Sequence, residues 1–321
     1  MPGQQAGHLT SLLCPPQSAF LSAQSTVRDG PATTRKSFDG TVPSGKISAD
    51  MSRNPASGGA KPKYVIGSGW WSSALAADAV NPKRKILGDD QIRAPAFFDT
   101  WLNTILENST PYEIAVVDSH AEQKPDPNQM ARVKWIELPF NARHATEHVG
   151  RWCGWTRSVL VSGQYALAAD AEYFVYIEQD CLIGGKGVIE HCIAQMKKGI
   201  MFGDGRGTPQ PIQQSFFIVH RKALPGFLRN LVALTHVDAE LSPEWKFVFA
   251  TSRPWVLASN LGLLQKRKIK GLARRVAARA HFDVLPIGSG RVRPIPMNQP
   301  FFYFQHGTAE ELERFREHRN I

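Results

Sequence analysis

The stretch Tyr173-Phe174-Val175-Tyr176-Ile177-Glu178-Gln179-Asp180 decides how this chain is read. Its aromatic and β-branched run predicts a buried strand, expected to run to its two carboxylates, Glu178 and Asp180. The following Cys181-Leu182-Ile183-Gly184-Gly185-Lys186 predicts a turn out of that strand. Acids at the carboxyl end of a central strand stand where open α/β sheets bind ligands. Side chains two apart on a strand share a face, so both carboxylates can converge on one hard cation and hold a metal-bound diphosphate. An isolated acid-x-acid pair is a weak signal, because solvated loop acids or a salt bridge to arginine would read the same way.

Working outward, the same alternation of short apolar runs and helical spacing recurs. Lys63 to Trp71 predicts a first strand opening into a Gly67-Ser68-Gly69 turn. Phe97 to Leu106 repeats apolar residues at helical spacing. Tyr112 to Val117 predicts a second strand ending at Asp118, and Arg132 to Leu138 alternates like a third. A helix is expected from about Gly150 to Ala169, before the strand that ends at Asp180. Beyond it come a helix over Gly187 to Lys197, a short strand at Gly199 to Phe202, a strand over Gln214 to His220 and a helix over Leu224 to Leu234. The chain closes with Phe301 to His306 and a charged helix, Ala309 to His318. The β-α alternation of the first half implies a largely parallel sheet.

The chain has 321 residues, 42% of them hydrophobic and 21% charged, enough for a substantial core. Residues 1–61 are dense in Ser, Gly, Pro, Thr, Ala and Gln and are expected to form a disordered tail, with the ordered domain spanning 62–321. A transit peptide is the lesser reading of that tail. No apolar run reaches the roughly 20 residues that span a bilayer, and the N-terminus lacks the basic region of a secretory signal. Four cysteines, Cys14, Cys153, Cys181 and Cys192, form no C-x-x-C pair. A disulfide framework is therefore not expected, and a reducing, cytoplasmic setting is. The net charge of +10 favours anionic partners.

Several side chains are candidates for chemistry. Asp118 closes a buried strand and could bond a ribose hydroxyl or a base; a turn or helix cap would look identical. Arg151 and Arg157 could face a phosphate. His144 and His148 are four apart, but no acid or Cys completes a metal site with them, which leaves them as surface histidines. His306 leaves a strand and could ligate a divalent cation as neutral imidazole. Glu244, in Ser242-Pro243-Glu244-Trp245-Lys246, could deprotonate an acceptor hydroxyl or could be a first-turn helix acid. Gly67-Ser68-Gly69 is not a dinucleotide fingerprint, because Ser72 stands where a third glycine would.

Together these pieces resemble a GT-A glycosyltransferase of the broad family-two type, over roughly Lys63 to Gly307. The resemblance implies a mixed, mostly parallel sheet flanked by helices. It implies nucleotide contacts from the first strand around Ser68, from Asp118, and from Arg157 on the helix before the acid pair. It implies Mn2+ or Mg2+ held by Asp180, Glu178 and His306, although Glu178 departs from the aspartate usual at the first acid. Glu244 would be the acceptor-side base by position. The implied partners are a nucleotide-sugar donor and a glycan, lipid or small-molecule acceptor.

Two rivals remain beside it. A nucleotidyltransferase uses a similar sheet but wants a basic, Gly-rich phosphate loop, and no Lys or Arg follows Gly67 until Lys83. A non-catalytic protein with a degenerate transferase fold could bind anions or a membrane. The basic stretch Lys266 to Arg279 carries Ile269, Leu272, Ala273 and Val276 at helical spacing, as an interfacial helix would. A solvated basic face is the plainer reading of it. Peripheral contact at the inner face of an anionic membrane would suit a transferase with a lipid-linked acceptor, and nucleic acid is not the expected partner.

Overall fold

In a computed structural model, described here for residues 61–73, 87–145, 148–264 and 279–318, strands and helices alternate along one compact unit. The strands are β1 (Tyr64–Trp70), β2 (Glu113–Asp118), β3 (Lys134–Glu137), β4 (Tyr173–Ile177), β5 (Cys181–Gly184), β6 (Ile200–Asp204), β7 (Ile212–His220), β8 (Asp283–Val284), β9 (Gly288–Gly290) and β10 (Phe302–Gln305). The helices are α1 (Phe97–Asn108), α2 (Pro127–Met130), α3 (Gly154–Ala168), α4 (Val188–Ala194), α5 (Leu224–Ala233), α6 (Pro243–Ala250), α7 (Arg253–Asn260) and α8 (Ala309–His318). The tail 1–61, apart from Lys61, and the basic stretch 266–279, apart from Arg279, lie outside the described residues. Among the described residues no helix is long and apolar enough to cross a membrane.

Seven strands form one sheet in the order β3-β2-β1-β4-β7-β6-β8. The neighbours β3, β2, β1 and β4 pair in parallel, and β6 pairs in parallel with β8. β7 alone runs against both its neighbours, β4 and β6. The sheet is thus mixed but mostly parallel and flanked by helices, the class the sequence predicts. Strands buried on both faces read as unbroken apolar runs, which is why β4 and β7 were legible as strands. Tyr64, Ile66, Val175 and Ile177 enter the core shared with α1 and α4. Val65, Phe174, Tyr176 and Phe217 enter the opposite core, with α3, α5 and α6. There Phe247 meets Phe227 and Phe217 edge to face at 5.3 and 5.5 Å, the favoured aromatic geometry.

Four local expectations differ from the structure. Gly67, Ser68 and Gly69 are not a turn but the middle of β1. A Cβ on Gly67 would stand 2.4 Å from Ser162 Oγ, and one on Gly69 would stand 2.8 Å from Ser158 Oγ, so the glycines let α3 lie directly on the strand. The helix expected from Gly150 begins at Gly154. β4 ends at Ile177, so Glu178 and Asp180 lie in the turn beyond it. The supposed turn Cys181–Gly184 is itself a strand, antiparallel to β10 in a second sheet ordered β5-β10-β9. The Gly184-Gly185 pair marks the end of that strand, where Gly185 has φ 102° against Pro300.

Candidate active site

Register assembles the centre of the site. In the second sheet Cys181 lies opposite Gln305, so the residue before Cys181 meets the residue after Gln305. Asp180 and His306 are thereby brought together, with His306 Nε2 3.2 Å from Asp180 Oδ2. His306 holds a φ of 57°, rare for a residue with a side chain, at the point where β10 ends. Such backbone is kept where surrounding contacts over-determine it. Here the Arg293 guanidinium fastens both carbonyls, donating to Gln305 O at 2.9 Å and His306 O at 3.3 Å while paired with Glu311.

The turn bearing the acids is clamped from both sides. The Cys181 N–H donates to Glu178 O at 3.0 Å, and the Glu178 N–H to Ser215 O on β7 at 2.9 Å. The Gln179 amide pairs with the Trp71 backbone like a strand neighbour, accepting its N–H at 2.7 Å and donating to its carbonyl at 2.9 Å. The turn is therefore fixed to the carboxyl end of β1 as well as to its own strand. Gln305 Nε2 donates to Glu178 Oε2 and, at 3.2 Å, to Asp180 Oδ1. One amide thus stands between the two carboxylates, and its oxygen accepts from Arg291 Nε at 3.3 Å.

Electrostatics set this cluster apart. Burial, then the neighbouring Asp180, push the Glu178 carboxyl up to about 8, with Glu244 adding to the effect and Arg291 opposing it. The indole N–H of Trp155 lies near Glu178 without closing to a hydrogen bond. Burial lowers the pKa of His306; Asp180 opposes that shift, while Arg291, Arg93 and Arg293 reinforce it. His306 is thereby kept as neutral imidazole at neutral pH, the form that ligates metals. Among the described residues its buried Nδ1 has no hydrogen-bond partner.

These observations allow a test of the metal that the resemblance implies. Among the described residues no group of three His, Cys, Asp or Glu side chains is arranged around one point as a metal cage. Asp180 and His306 do stand together, while Glu178 shares the Gln305 amide with Asp180 but is not grouped with the two. A carboxylate and a neutral imidazole suit a divalent cation that draws its other ligands from phosphate oxygens and water. The pair Asp180 and His306 fits such an ion, and Glu178 is not gathered with them.

The other sequence candidates are dispersed around this centre. Glu244 is buried in the first turn of α6, close enough to Glu178 to disfavour its ionised form. Its helix starts at Ser242-Pro243, as that dipeptide predicts. Asp118 is wholly buried. Its Oδ1 accepts the Ala121 N–H at 2.8 Å and its Oδ2 lies 3.6 Å from Lys124 Nζ, while burial raises its pKa. Ser68 is buried inside β1, its hydroxyl weakly donating to Gly69 O at 3.4 Å. Arg157, in the first turn of α3, donates to Trp152 O at 2.9 Å and Val149 O at 3.3 Å and lies over the Phe140 ring. Arg151 reaches Leu234 O, and His148 accepts the Ala239 N–H at 3.2 Å.

Arg291 and Gln179 were missed in the sequence. Among the described residues Arg291 pairs with no carboxylate, although it influences both Glu178 and His306. Its backbone N–H donates to Gln213 Oε1 at 2.5 Å, which fixes its start beside β7. No local pattern marks an arginine that reaches a site through a second sheet. Gln179 sat between the two acids and could have been suspected only from that position.

No protein-family model matches the sequence, and no curated protein matches it. Among solved structures the chain is similar to residues 1–349 of S. aureus TarS in complex with UDP, at 12% identity and TM-score 0.33, over 59% of this chain and 54% of that one. It is similar to the glycosyltransferase GlyE of Streptococcus pneumoniae, at 6% identity and TM-score 0.32, over 70% of this chain and 45% of that one. A cytidylyltransferase from Leptospira borgpetersenii is similar at 12% identity and TM-score 0.33, over 58% of this chain and 71% of that one. The chain spans about half the length of the first two, and likeness of this degree transfers no residue and no activity.

Proposed function

We propose that the chain transfers a glycosyl group from a nucleotide-sugar donor to an acceptor hydroxyl. The observation that supports this best is the contact of Asp180 with His306 beside the carboxyl ends of β1 and β4. In open α/β sheets that edge is the ligand edge. In this reading Asp180 and His306 hold Mn2+ or Mg2+, which when bound neutralises charge on the departing diphosphate. Arg291 offers a second positive group to the same phosphates. Glu244 takes the proton of the acceptor hydroxyl. Asp118 acts on the nucleoside indirectly, by shaping the loop after β2 through the Ala121 N–H. In the same reading Arg157 would leave its Trp152 and Val149 carbonyls to meet a phosphate.

Among the described residues nothing near β1 supplies the basic phosphate loop of the rival nucleotidyl transfer, since neither β1 nor Trp71 to Ser73 contains Lys or Arg. A thermal-unfolding screen of nucleoside mono-, di- and triphosphates, each with and without Mn2+, tests the proposal. One nucleoside diphosphate should raise the midpoint by several degrees, and only with the cation, because a ligand at a hundred times its Kd adds about 2.7 kcal/mol. Absence of any nucleotide shift would overturn the reading. A shift confined to a triphosphate would favour nucleotidyl transfer.

A further inference from the structure

The strand order β3-β2-β1-β4 reverses between β1 and β4, and open α/β sheets take their ligands in the crevice at such a reversal. The crevice shows in the register. β1 pairs with β2 as far as Trp70 opposite Asp118, but with β4 only as far as Gly67 opposite Tyr176. The last residues of β1 stay with β2 and part from β4. Trp71 follows β1 on one lip of this opening, and Glu178, Gln179 and Asp180 follow β4 on the other.

The Gln179 side chain spans the opening where backbone pairing has stopped, accepting the Trp71 N–H at 2.7 Å and donating to the Trp71 carbonyl at 2.9 Å. Trp71 is a firm anchor for it. Trp70 accepts the Ser119 N–H at 3.0 Å through its carbonyl and donates its indole N–H to Gln123 O at 3.1 Å. Ser72 accepts the Gln123 N–H at 3.3 Å through its carbonyl and donates its hydroxyl to Arg93 O at 2.8 Å. On the other lip, backbone hydrogen bonds fix the acid turn at Glu178 and Cys181. The Gln179 amide fixes its middle. Both flanking acids meet the Gln305 amide, while the residue between them is engaged with β1.

We propose, resting on the glycosyl-transfer reading for the identity of the two cation ligands, that Gln179 is a positioning residue. Its amide bridge across the crevice holds Asp180 beside His306, so that both can bind one divalent cation. Gln179 touches neither the cation nor the substrate and acts through Asp180. Groups that support metal ligands in this way change metal affinity by about 10- to 100-fold when they are removed.

The test uses the full chain and Mn2+ alone, with affinity followed through the electron paramagnetic resonance of the free ion. Gln179→Met is close in size and has no amide; Gln179→Asn keeps the amide but falls a methylene short of Trp71. Each should weaken Mn2+ binding by about tenfold or more. The thermal midpoint should stay within a few degrees of the parent, since Gln179 is only partly buried. Water-proton relaxation per bound Mn2+ should rise, because water takes the position that Asp180 gives up. A merely structural role would lower the midpoint and leave the affinity of the folded chain and that relaxation as they are. Parent-like Mn2+ affinity in either variant overturns the proposal, and so does an unchanged relaxation. A parent chain that binds no Mn2+ removes the cation ligands of the glycosyl-transfer reading, and this proposal falls with them. A parent that binds Mn2+ beside variants that bind it equally well overturns this proposal alone.

Discussion

Two acidic clusters near the N-terminus of α3 are satisfied very differently. Asp238 is wholly buried against the wholly buried Lys246, with Nζ 2.5 Å from Oδ1. Its other oxygen accepts the Cys153 N–H at 2.7 Å and the Thr156 hydroxyl at 2.8 Å, at the N-terminus of α3. A cation, two hydrogen bonds and a helix N-terminus all meet that side chain. Glu178 is just as deeply placed but faces another acid, and among the described residues it receives one amide N–H and no paired cation. The first cluster is complete within the chain. In the second, Arg291 acts on Glu178 without pairing with it among the described residues, so the deeper acid has no direct counter-ion there.

The largest expected effect comes from breaking the complete cluster. Asp238→Asn should cost about 3–5 kcal/mol, because Lys246 is left buried without its counter-ion. The double variant Asp238→Leu/Lys246→Met should recover much of that loss, since it removes the desolvated charges together. Urea denaturation measures both. A double variant as unstable as the single one would show that the pair is not the source of the stability, and the contrast between the clusters would fail.

This contrast also separates what the sequence displays from what it hides. β1, β2, β4 and β7 were visible because buried strands are continuous apolar runs. α1, α5 and α8 were visible from their helical spacing. The direction of β7 was not, because an apolar run reads alike in both senses. β5 reads as a turn because its partner, β10, lies more than a hundred residues on, and glycines at its end carry the local signal. Glu178 and Asp180 were found because they interrupt an apolar run. His306 was found as a lone residue, but its contact with Asp180 depends on the β5–β10 register. Asp238 and Lys246 gave no signal at all: each is an ordinary charged residue until α3 and α6 close over them.

Replacing Glu178 sharpens the comparison from the other side. Its carboxyl is expected to keep its proton up to about pH 8 in the folded chain, against about 4.5 when unfolded. Between those values the folded state binds more protons, so stability falls as pH rises through that window. Glu178→Gln has no such proton to lose. Its unfolding midpoint should be flatter across the window, and at pH 9 it should exceed the parent by about 1–2 kcal/mol. An unchanged pH profile would mean that Glu178 is not held neutral by its surroundings.

The smallest effect on stability should accompany the largest on binding. Asp180 is partly exposed, in contact with His306 at 3.2 Å and with the Gln305 amide at 3.2 Å. Asp180→Ala leaves no wholly buried group unpaired, and its cost should stay within about 1 kcal/mol. The cation-dependent nucleotide shift should nevertheless vanish, and His306→Ala should reproduce that loss. Glu178→Gln should retain the shift, because Glu178 is not grouped with the proposed ligands. Were Glu178→Gln to abolish it while Asp180→Ala did not, the cation would belong to the deeper acid, and the assignment within the pair would be reversed.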